Sequence, residues 1–408
     1  MHHTRARSSR RATAALIALT LLGSGVILAV AGPLDPPAGP PAPTMKTLDQ
    51  VEPRTPVESL PGDATSTHII SQPGSYYLTR NLQGESGKVG IRITSDNVTL
   101  DLSGFTLTGV PGSLDAINVG NLIFPLDNIH IRNGAVVGWG FRGIDADLAN
   151  NAIVENIRAM SNGEIGIRVG FGASPPTGPV IRNCVAQNNA LHGIQADNAV
   201  IENCVAIDNR GRGINVSSSA VRGCVGSAND LEGIGGSGSL VNSSTIGNRL
   251  HGVTWSGTVD ACRSSANIGD GFVLRPGSTI SNSRASENTF AGINAHDGVT
   301  VRDNTARDNM AQGILVASNA YITGNNCDDN DLAGIRVEGF SNRIDSNHAT
   351  NNATGIQVVT IDGNLVIRNS ASGNATNFSV PGGNTVGEII TATGNITAST
   401  GPWANFSF

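Results

Sequence analysis

One set of acidic residues has a spacing that could bind a cation. Glu287, Asp308 and Asp329 each precede an asparagine that recurs about every twenty residues, and Arg307 and Asp328 lie beside them. If equivalent residues stack in a sheet, the three carboxylates are ~4.8 Å apart and repel one another unless water, the arginine or a cation screens them. Ca²⁺ prefers such oxygen ligands, so it is the candidate cofactor. The alternative is that acidic residues are simply common beside turns, as at Asp208.

A repeat of about twenty residues must position this acidic column. An asparagine is followed four residues later by a glycine, and an aliphatic or aromatic residue follows the glycine, as in Asn189, Gly193 and Ile194. Successive asparagines are 20, 20, 19, 19, 21, 21 and 21 residues apart. The series consists of Asn189, Asn209, Asn229, Asn248, Asn267, Asn288, Asn309 and Asn330.

The pattern inside each repeat predicts short strands and turns. Apolar residues alternate with period two, as at Cys184 and Ala186, and no 3.6-residue period is present. A leucine-rich repeat has a similar length but needs large leucines and an outer helix, whereas the inward positions here are Ala, Cys, Ser and Val. Three short strands per coil use about twenty residues around a narrow core. The fold class is therefore all-β, a parallel β-helix of about twelve or thirteen coils with a cap at each end.

Stacked coils give the recurring residues a structural role. Asparagines in register form a ladder in which side-chain amides hydrogen-bond along the axis, and asparagine tolerates left-handed backbone at a bend. The recurring glycine is expected to supply positive φ at another bend. These residues specify the fold, and chemistry must be sought elsewhere.

The N-x-x-x-G-I coils resemble the right-handed parallel β-helix repeats of the pectate-lyase-like superfamily, over residues 86–375. The segments LPGDATSTHIISQPGSYYLTRNL (60–82) and VTLDLSGFTLTG (98–109) resemble the entry cap and first coils of secreted bacterial members, and GPWANFSF resembles their closing segment. This resemblance implies a right-handed helix. It implies little about activity, because lyases, hydrolases, adhesins and accessory proteins share the fold.

Two catalytic patterns of that superfamily fit poorly or in part. Polysaccharide hydrolases resemble one another in an ordered Asn-Thr-Asp, Asp-Asp, Gly-His-Gly and Arg-Ile-Lys set, but here Ala306 follows Asn304-Thr305 and Asp345 follows Arg343-Ile344. Pectate-lyase-type sites need clustered carboxylates for calcium and a nearby basic residue, which the acidic column with Arg307 offers. The catalytic residues remain unassigned.

Transition-metal ligands and disulfides are not expected. His192 and His251 share a column but are three coils apart, or ~14 Å, which is too far for one ion. The cysteines at 184, 204, 224 and 262 fall in one inward column and are expected to be buried free thiols that fill space. Cys327 lies off that column.

The N-terminus resembles an export signal. Four arginines at 5, 7, 10 and 11 precede an apolar run over 14–31 that ends in Ala-Val-Ala. Cleavage after Ala31 and retention as an anchor are both compatible with this run, and the export route is open. The expected segments are a signal peptide (1–31), a Pro-rich linker (32–61), an N-terminal cap (62–85), the repeats (86–375) and a C-terminal coil and cap (376–408).

These features together predict an exported protein at the cell surface, outside the cell or in the periplasm. The formal net charge of -6 gives no basic field for nucleic acid, and no later segment could span a membrane. The predicted function is association with an extracellular polysaccharide, with lyase-like activity as a candidate. The competing class is a non-catalytic adhesive rod, which scarce exposed aromatic residues favour.

Overall fold

The computed structural model describes residues 54–120, 125–170, 178–361, 363–391 and 401–408. The predicted signal peptide and most of the predicted linker lie outside these residues. The described chain winds into a parallel β-solenoid of about fifteen turns. It exceeds the twelve or thirteen coils expected because strands begin at Thr55–Pro56 and continue into the C-terminal segment.

Each turn of the solenoid contributes one strand to each of three parallel sheets, which we call A, B and C. Sheet A contains Thr55–Pro56, Gly74–Tyr77, Val98–Asp101, the first parts of Ile129–Val137 and Ile153–Met160, Val180–Arg182, Val200–Glu202, Ser219–Arg222, the last parts of Ile234–Val241 and Val253–Asp260, Thr279–Ser281, Thr300–Arg302, Tyr321–Thr323, Arg343–Asp345, Leu365–Ile367 and Thr385–Val386.

Sheet B follows sheet A after a short turn. It contains Leu82–Gln83, Thr106–Thr108, the last parts of Ile129–Val137 and Ile153–Met160, Val185–Gln187, Val205–Ile207, Val225–Ser227, Ser244–Ile246, Arg263–Ser265, Arg284–Ser286, Thr305–Arg307, Asn326–Asp328, His348–Thr350, Ser370–Ser372, Asn405–Ser407 and Ile389–Ile390. The final strand, Asn405–Ser407, pairs with Ser370–Ser372 on one side and with Ile389–Ile390 on the other.

Sheet C completes each turn. It contains Ser66–Ile70, Val89–Ile93, Ile117–Val119, Ile144–Ala146, Ile167–Val169, Ile194–Asp197, Ile214–Ser217, the first parts of Ile234–Val241 and Val253–Asp260, Phe272–Leu274, Ile293–Ala295, Ile314–Val316, Ala333–Val337, Thr354–Val358 and Thr376–Ser379. Outside the sheets lie a 3-10 turn at Val57–Ser59 and a small pair formed by Leu126–Asp127 and Ala149–Asn150.

The core is built from aliphatic residues stacked on their own equivalents. In sheet C an apolar residue follows the repeated glycine of each coil, as at Ile194, Ile214 and Ile234. These three residues are in register from one coil to the next and have no exposed surface. Because side chains alternate across a strand, the neighbouring residues point outward. The repeat therefore places apolar residues inside the tube and leaves outward rows, one in sheet C and two in each of sheets A and B, for other roles.

The predicted asparagine ladder is present and is longer than the sequence series. The ladder asparagines from Asn162 to Asn352 are at most 4% exposed, and each Nδ2 donates to Oδ1 of the next at 2.8–3.0 Å, as from Asn189 to Asn209 (2.9 Å). The ladder runs through Asn162, Asn189, Asn209, Asn229, Asn248, Asn267, Asn288, Asn309, Asn330, Asn352 and Asn374.

The local reasons for asparagine and glycine differ from those expected. Left-handed backbone falls on the residue before the ladder asparagine, as at Asn188 (φ 55°), and not on the ladder residue itself. The repeated glycine has no positive φ either. A Cβ on Gly193 would meet Nδ2 of Asn209 and the carbonyl oxygen of Gly213, each at 2.7 Å, so glycine is required by the ladder's close approach.

The five cysteines are free and buried, as expected. Four of them lie in one column with serines at 243 and 283, and that column continues as a second ladder of Asn304, Asn325, Asn347, Asn369 and Asn405. Burial raises the pKa of the Cys262 thiol to about 11, which keeps it protonated. These thiols act as small space-filling groups.

Candidate functional site

The structure places the predicted acidic column on a turn. Glu287, Asp308 and Asp329 occupy the left-handed position before the ladder asparagine, with φ of 60°, 55° and 53°. In other coils the equivalent residue is Asn188 or Ala228, also with positive φ. Since a side chain without oxygen serves equally well there, the position itself makes no demand for a cation. Within the described ranges, no group of three His, Cys, Asp or Glu side chains could hold a metal ion.

Neighbouring side chains already engage this acidic column. Nε of Arg307 lies 2.5 Å from Oδ2 of Asp308, and Thr350 donates its hydroxyl to Oδ1 of Asp328 at 2.5 Å. The negative charge of Asp328 is the main cause that raises the pKa of Asp329, with smaller contributions from desolvation and Asp308. The four carboxylates and Arg307 are thus neighbours on two adjoining rows, and the charges are partly balanced within the protein.

A different set of polar residues faces outward from sheet C. The outward residues of successive strands are in register from Arg92 through Asn118, Asp145, Arg168, Gln195 and Asn215. A second polar row lies two residues before each buried isoleucine or equivalent and contains Asp115, Arg142, His192, Arg212, Glu232, His251 and Asp270. We call these two rows the sheet C strip. Of these residues, only His192 and His251 were predicted from the sequence to share a column.

One buried part of the strip is a pair of carboxylates bridged by one amide. Nδ2 of Asn118 donates to Oδ2 of Asp115 at 3.1 Å and to Oδ2 of Asp145 at 3.4 Å. Arg142 donates its backbone N–H to Oδ1 of Asp115 at 3.0 Å and its Nη1 to Oδ2 of Asp145 at 2.6 Å. Each aspartate is only 8% exposed. Oδ1 of Asp145 has no hydrogen-bond partner among the described residues.

The two carboxylates have different surroundings. Burial is the main cause that raises the pKa of Asp115, and the charge of Asp145 raises it further, against the lowering effect of hydrogen bonds from Arg142 and Asn118. Asp145 is in direct contact with the Arg142 guanidinium, with Nη1 2.6 Å from Oδ2. A carboxyl group with a raised pKa therefore lies beside a carboxylate oxygen without a partner among the described residues, and such a pair can serve acid–base chemistry.

An open depression of about 320 Å³ exposes Asp115, Asn118 and Arg142 of this cluster, whereas Asp145 is not part of its lining. Its wall includes the ring of Phe141, which is 46% exposed, and the side chains of Arg92 and Glu164. Nε of Arg142 is 3.3 Å from a carboxylate oxygen of Glu164. The depression thus combines two arginines, an exposed aromatic ring and the buried carboxyl group of Asp115, which can bind the ring and the charge of an acidic sugar.

A second polar group lies further along the strip. Arg212 donates Nε and Nη2 to the two oxygens of Glu232 at 2.9 and 3.1 Å, and its backbone N–H to Nδ1 of His192 at 3.0 Å. Burial, and then the charge of Arg212, lower the pKa of His192. His251 accepts the backbone N–H of Asp270 in the same way. His192 and His251 lie in one row, three coils apart as the sequence indicated. Each therefore accepts a hydrogen bond from a backbone N–H of the next coil.

Family models match most of the solenoid. Residues 89–254 match the model described as "Right handed beta helix region", and residues 262–399 match "Periplasmic copper-binding protein (NosD)". Together with the parallel sheets, the first match gives the handedness. The chain is a right-handed parallel β-helix protein. No curated protein matches this sequence.

Several solved structures are similar to this chain in fold. They include the A-module of the Azotobacter vinelandii mannuronan C-5 epimerase AlgE4 (16% identity, 77% of this chain and 91% of that one, TM-score 0.42). The periplasmic alginate epimerase AlgG (12%, 83% and 77%, 0.38) and the Dettilon tailspike protein (13%, 78% and 62%, 0.36) are others. Shared fold alone does not determine activity.

Copper does not fit the residues that the second match covers. Cys262 is a buried column residue and Cys327 is inward in a sheet B strand, so the two thiols are not in one row. His348 directs Nδ1 to the hydroxyl of Ser370 at 2.6 Å. No cluster of ligands suited to the metal is present in this part of the described chain. In addition, none of the described helices is long and apolar enough to cross a membrane.

Proposed function

We propose that the protein is exported and that the sheet C strip binds an acidic polysaccharide, with lyase-type chemistry at Asp115 and Asp145. The observation that carries this proposal is the buried carboxylate pair bridged by Asn118 and contacted by Arg142. A strip that follows the solenoid axis suits a linear polymer, because each coil presents a new polar side chain every ~4.8 Å. The family match to a periplasmic protein supports a location beyond the inner membrane.

The chemistry follows from the charges of this cluster. Arg142 and Arg92 would neutralise the carboxylate of a uronic residue, which makes the proton on the adjacent carbon more acidic. Oδ1 of Asp145 has no partner among the described residues but is buried, so it would accept that proton once substrate binding exposes it. The bond from the neighbouring carbon to the glycosidic oxygen would then break, a carbon–carbon double bond would form, and protonated Asp115 would donate its proton to the leaving oxygen.

The activity test uses the full chain with a panel of uronate polymers, with and without calcium. We expect absorbance from unsaturated sugar ends in the wild type and a loss of at least about a hundredfold in Asp145→Asn, because general base catalysis contributes on that order. Asp208→Asn is the matched control, since it removes a carboxylate from the same exposed turn position in a coil outside the acidic column. Absence of unsaturated products across the whole panel would refute the lyase step.

Polysaccharide binding is tested separately from chemistry, by retention of the protein on immobilised uronate polymers. The non-catalytic rod is the alternative function, and an exposed apolar row supports it: Phe141, Leu191, Leu231, Leu250, Phe290 and Leu332 follow the ladder on one turn. A rod predicts that Asp115→Asn and Asp145→Asn leave binding unchanged. The strip predicts that exchanging Arg142 for Gln weakens retention, most at low salt.

Calcium is the candidate cofactor for the acidic column at Glu287, Asp308 and Asp329. Binding there requires Arg307 to release Asp308, because the two now form an ion pair. If calcium binds, it raises the melting temperature of the wild type, and the double variant Asp308→Asn, Asp329→Asn loses that rise. If calcium changes the melting temperature of the wild type and of the double variant equally, these carboxylates do not bind calcium and serve only as turn residues.

A further inference from the structure

The C-terminal end of sheet A carries an apolar depression that the proposed function does not use. Its volume is about 360 Å³, and its lining includes Leu365, Ile367, Val386 and Trp403, with Arg343 at one side. The carboxylate pair of the sheet C strip lies on a different sheet near the other end of the solenoid. The two sites can therefore be tested independently.

The apolar wall exists because the chain's end covers outward-facing residues of sheet A. Val366 points into the core, so its neighbours Leu365 and Ile367 point outward, yet Ile367 is only 5% exposed. Trp403 lines the same depression and is itself 52% exposed. The guanidinium of Arg368 lies over the Trp403 ring, 5.4 Å from its centre, so a second ring would take the opposite face, beside the aliphatic side chains.

The charge of this depression is positive. Arg343 and Arg368 both contact Asp345, which has no exposed surface, so two guanidinium groups share one carboxylate. Arg343 uses Nε and Nη2 for Asp345, at 3.1 and 2.8 Å. Its Nη1 makes no hydrogen bond to the part of the chain that the structure describes, and its side chain is 45% exposed. The remaining donor is suited to an anionic oxygen.

We propose that this depression binds a small ring-bearing carboxylate, with the ring against Trp403, Leu365 and Val386 and the carboxylate at Nη1 of Arg343. A ring carboxylate matches both the apolar wall and the one excess positive charge. The depression is large enough for a single ring of six atoms, since small-molecule sites start near ~300 Å³. Such a ligand could be a free organic acid or an acidic sugar, and these two sources share the chemistry named here.

Tryptophan fluorescence reports on this site directly. Of the three tryptophans, Trp139 and Trp255 are 2% and 0% exposed, so acrylamide quenches mainly Trp403. Cyclohexanecarboxylate should move the emission to shorter wavelength and protect it from acrylamide. The neutral cyclohexanecarboxamide should bind about tenfold more weakly or worse, because it lacks the charge-assisted hydrogen bond. Galacturonate is the acidic-sugar arm, and tighter binding of either acid identifies the source.

Variants assign the binding to these residues. Arg343→Gln should reduce the affinity for cyclohexanecarboxylate about tenfold, to that of the amide, whereas Arg302→Gln, on an exposed arginine two strands earlier in sheet A, should change nothing. Arg343→Lys keeps the charge and should retain part of the affinity if the end of the solenoid is intact. Equal binding of acid and amide, no protection by either acid, or a Trp403 already shielded from acrylamide without ligand would overturn the proposal.

Discussion

At the residue scale, each ladder asparagine satisfies several buried groups at once. Oδ1 of Asn229 accepts the backbone N–H and the Nδ2 of Asn209, at 3.1 and 3.0 Å. Its own Nδ2 donates to Oδ1 of Asn248 and to the carbonyl of Ala206. Because these partners have no access to water, removing one side chain leaves donors and an acceptor unsatisfied on two coils.

We therefore expect Asn229→Ala to lower the free energy of unfolding by about 3 kcal/mol or more, measured by denaturant titration. Asn188→Ala is the control: it lies on the left-handed turn position, where Ala228 occurs naturally, and should cost only about 1 kcal/mol of backbone strain. Similar losses in both variants would contradict the role assigned to the ladder amides.

The buried carboxylate of Asp345 makes the free energy of unfolding depend on pH, in a direction that its pKa determines. Hydrogen bonds from Arg368, Arg343 and Ser346 outweigh desolvation and lower the pKa of Asp345 to about 2. In the unfolded chain this pKa is ~4, so protons bind the unfolded state more readily. The stabilisation is present above about pH 4 and is lost as the pH falls towards 2.

The expected size of this term is about 2 kcal/mol. Unfolding free energies of the wild type and of Asp345→Asn, measured between about pH 5 and 2, should converge as the pH falls. A wild type and variant whose stabilities differ by a constant amount over this range would show that Asp345 does not carry the pH dependence.

At the element scale, the repeat allowed the coils to be predicted from the sequence, but it did not predict the sheet C strip. Three strands per coil, the first ladder and the buried thiol column follow from one residue type recurring every 19 to 21 residues. The sheet C strip has no such regularity, since Asp115, Arg142, His192 and Glu232 differ from coil to coil. Its signal was positional: each lies two residues before a buried aliphatic residue of sheet C.

Two other features depended on information that the repeat does not contain. Asn405 continues the second ladder from Asn369 across 36 residues, a spacing unlike that of any regular coil. The glycine at each coil was expected to provide positive φ, but its reason is the neighbouring amide, and such a close approach is known only from coordinates. Sequence periodicity thus identifies what stacks, while the contacts decide why.

At the scale of the whole solenoid, about fifteen turns extend over roughly 70 Å of the described residues. The last strand, Asn405–Ser407, lies between Ser370–Ser372 and Ile389–Ile390. Without it, Asn369 loses the acceptor of its backbone N–H and one of the three acceptors near its Nδ2. An open strand edge and an unsatisfied ladder end would result, which favours association between molecules.

Deletion of residues 403–408 should therefore lower the melting temperature and produce concentration-dependent oligomers in light scattering. The full-length variant Phe408→Ala is the control, because that ring is 70% exposed and its loss leaves the strand pairing intact. A truncated chain that stays monomeric with the melting temperature of the control would show that the final strand does not protect this end.

The position of Asn405–Ser407 also sets an order of events during biosynthesis. Most coils can form as soon as their own residues emerge, since each contacts only its neighbours. The space between Ser370–Ser372 and Ile389–Ile390 is filled only after residues 405–407, which follow both strands in the sequence, have been synthesised. Completion of this part of the solenoid must wait for those residues, so products that terminate before them carry an unfinished strand edge that proteases and chaperones can distinguish.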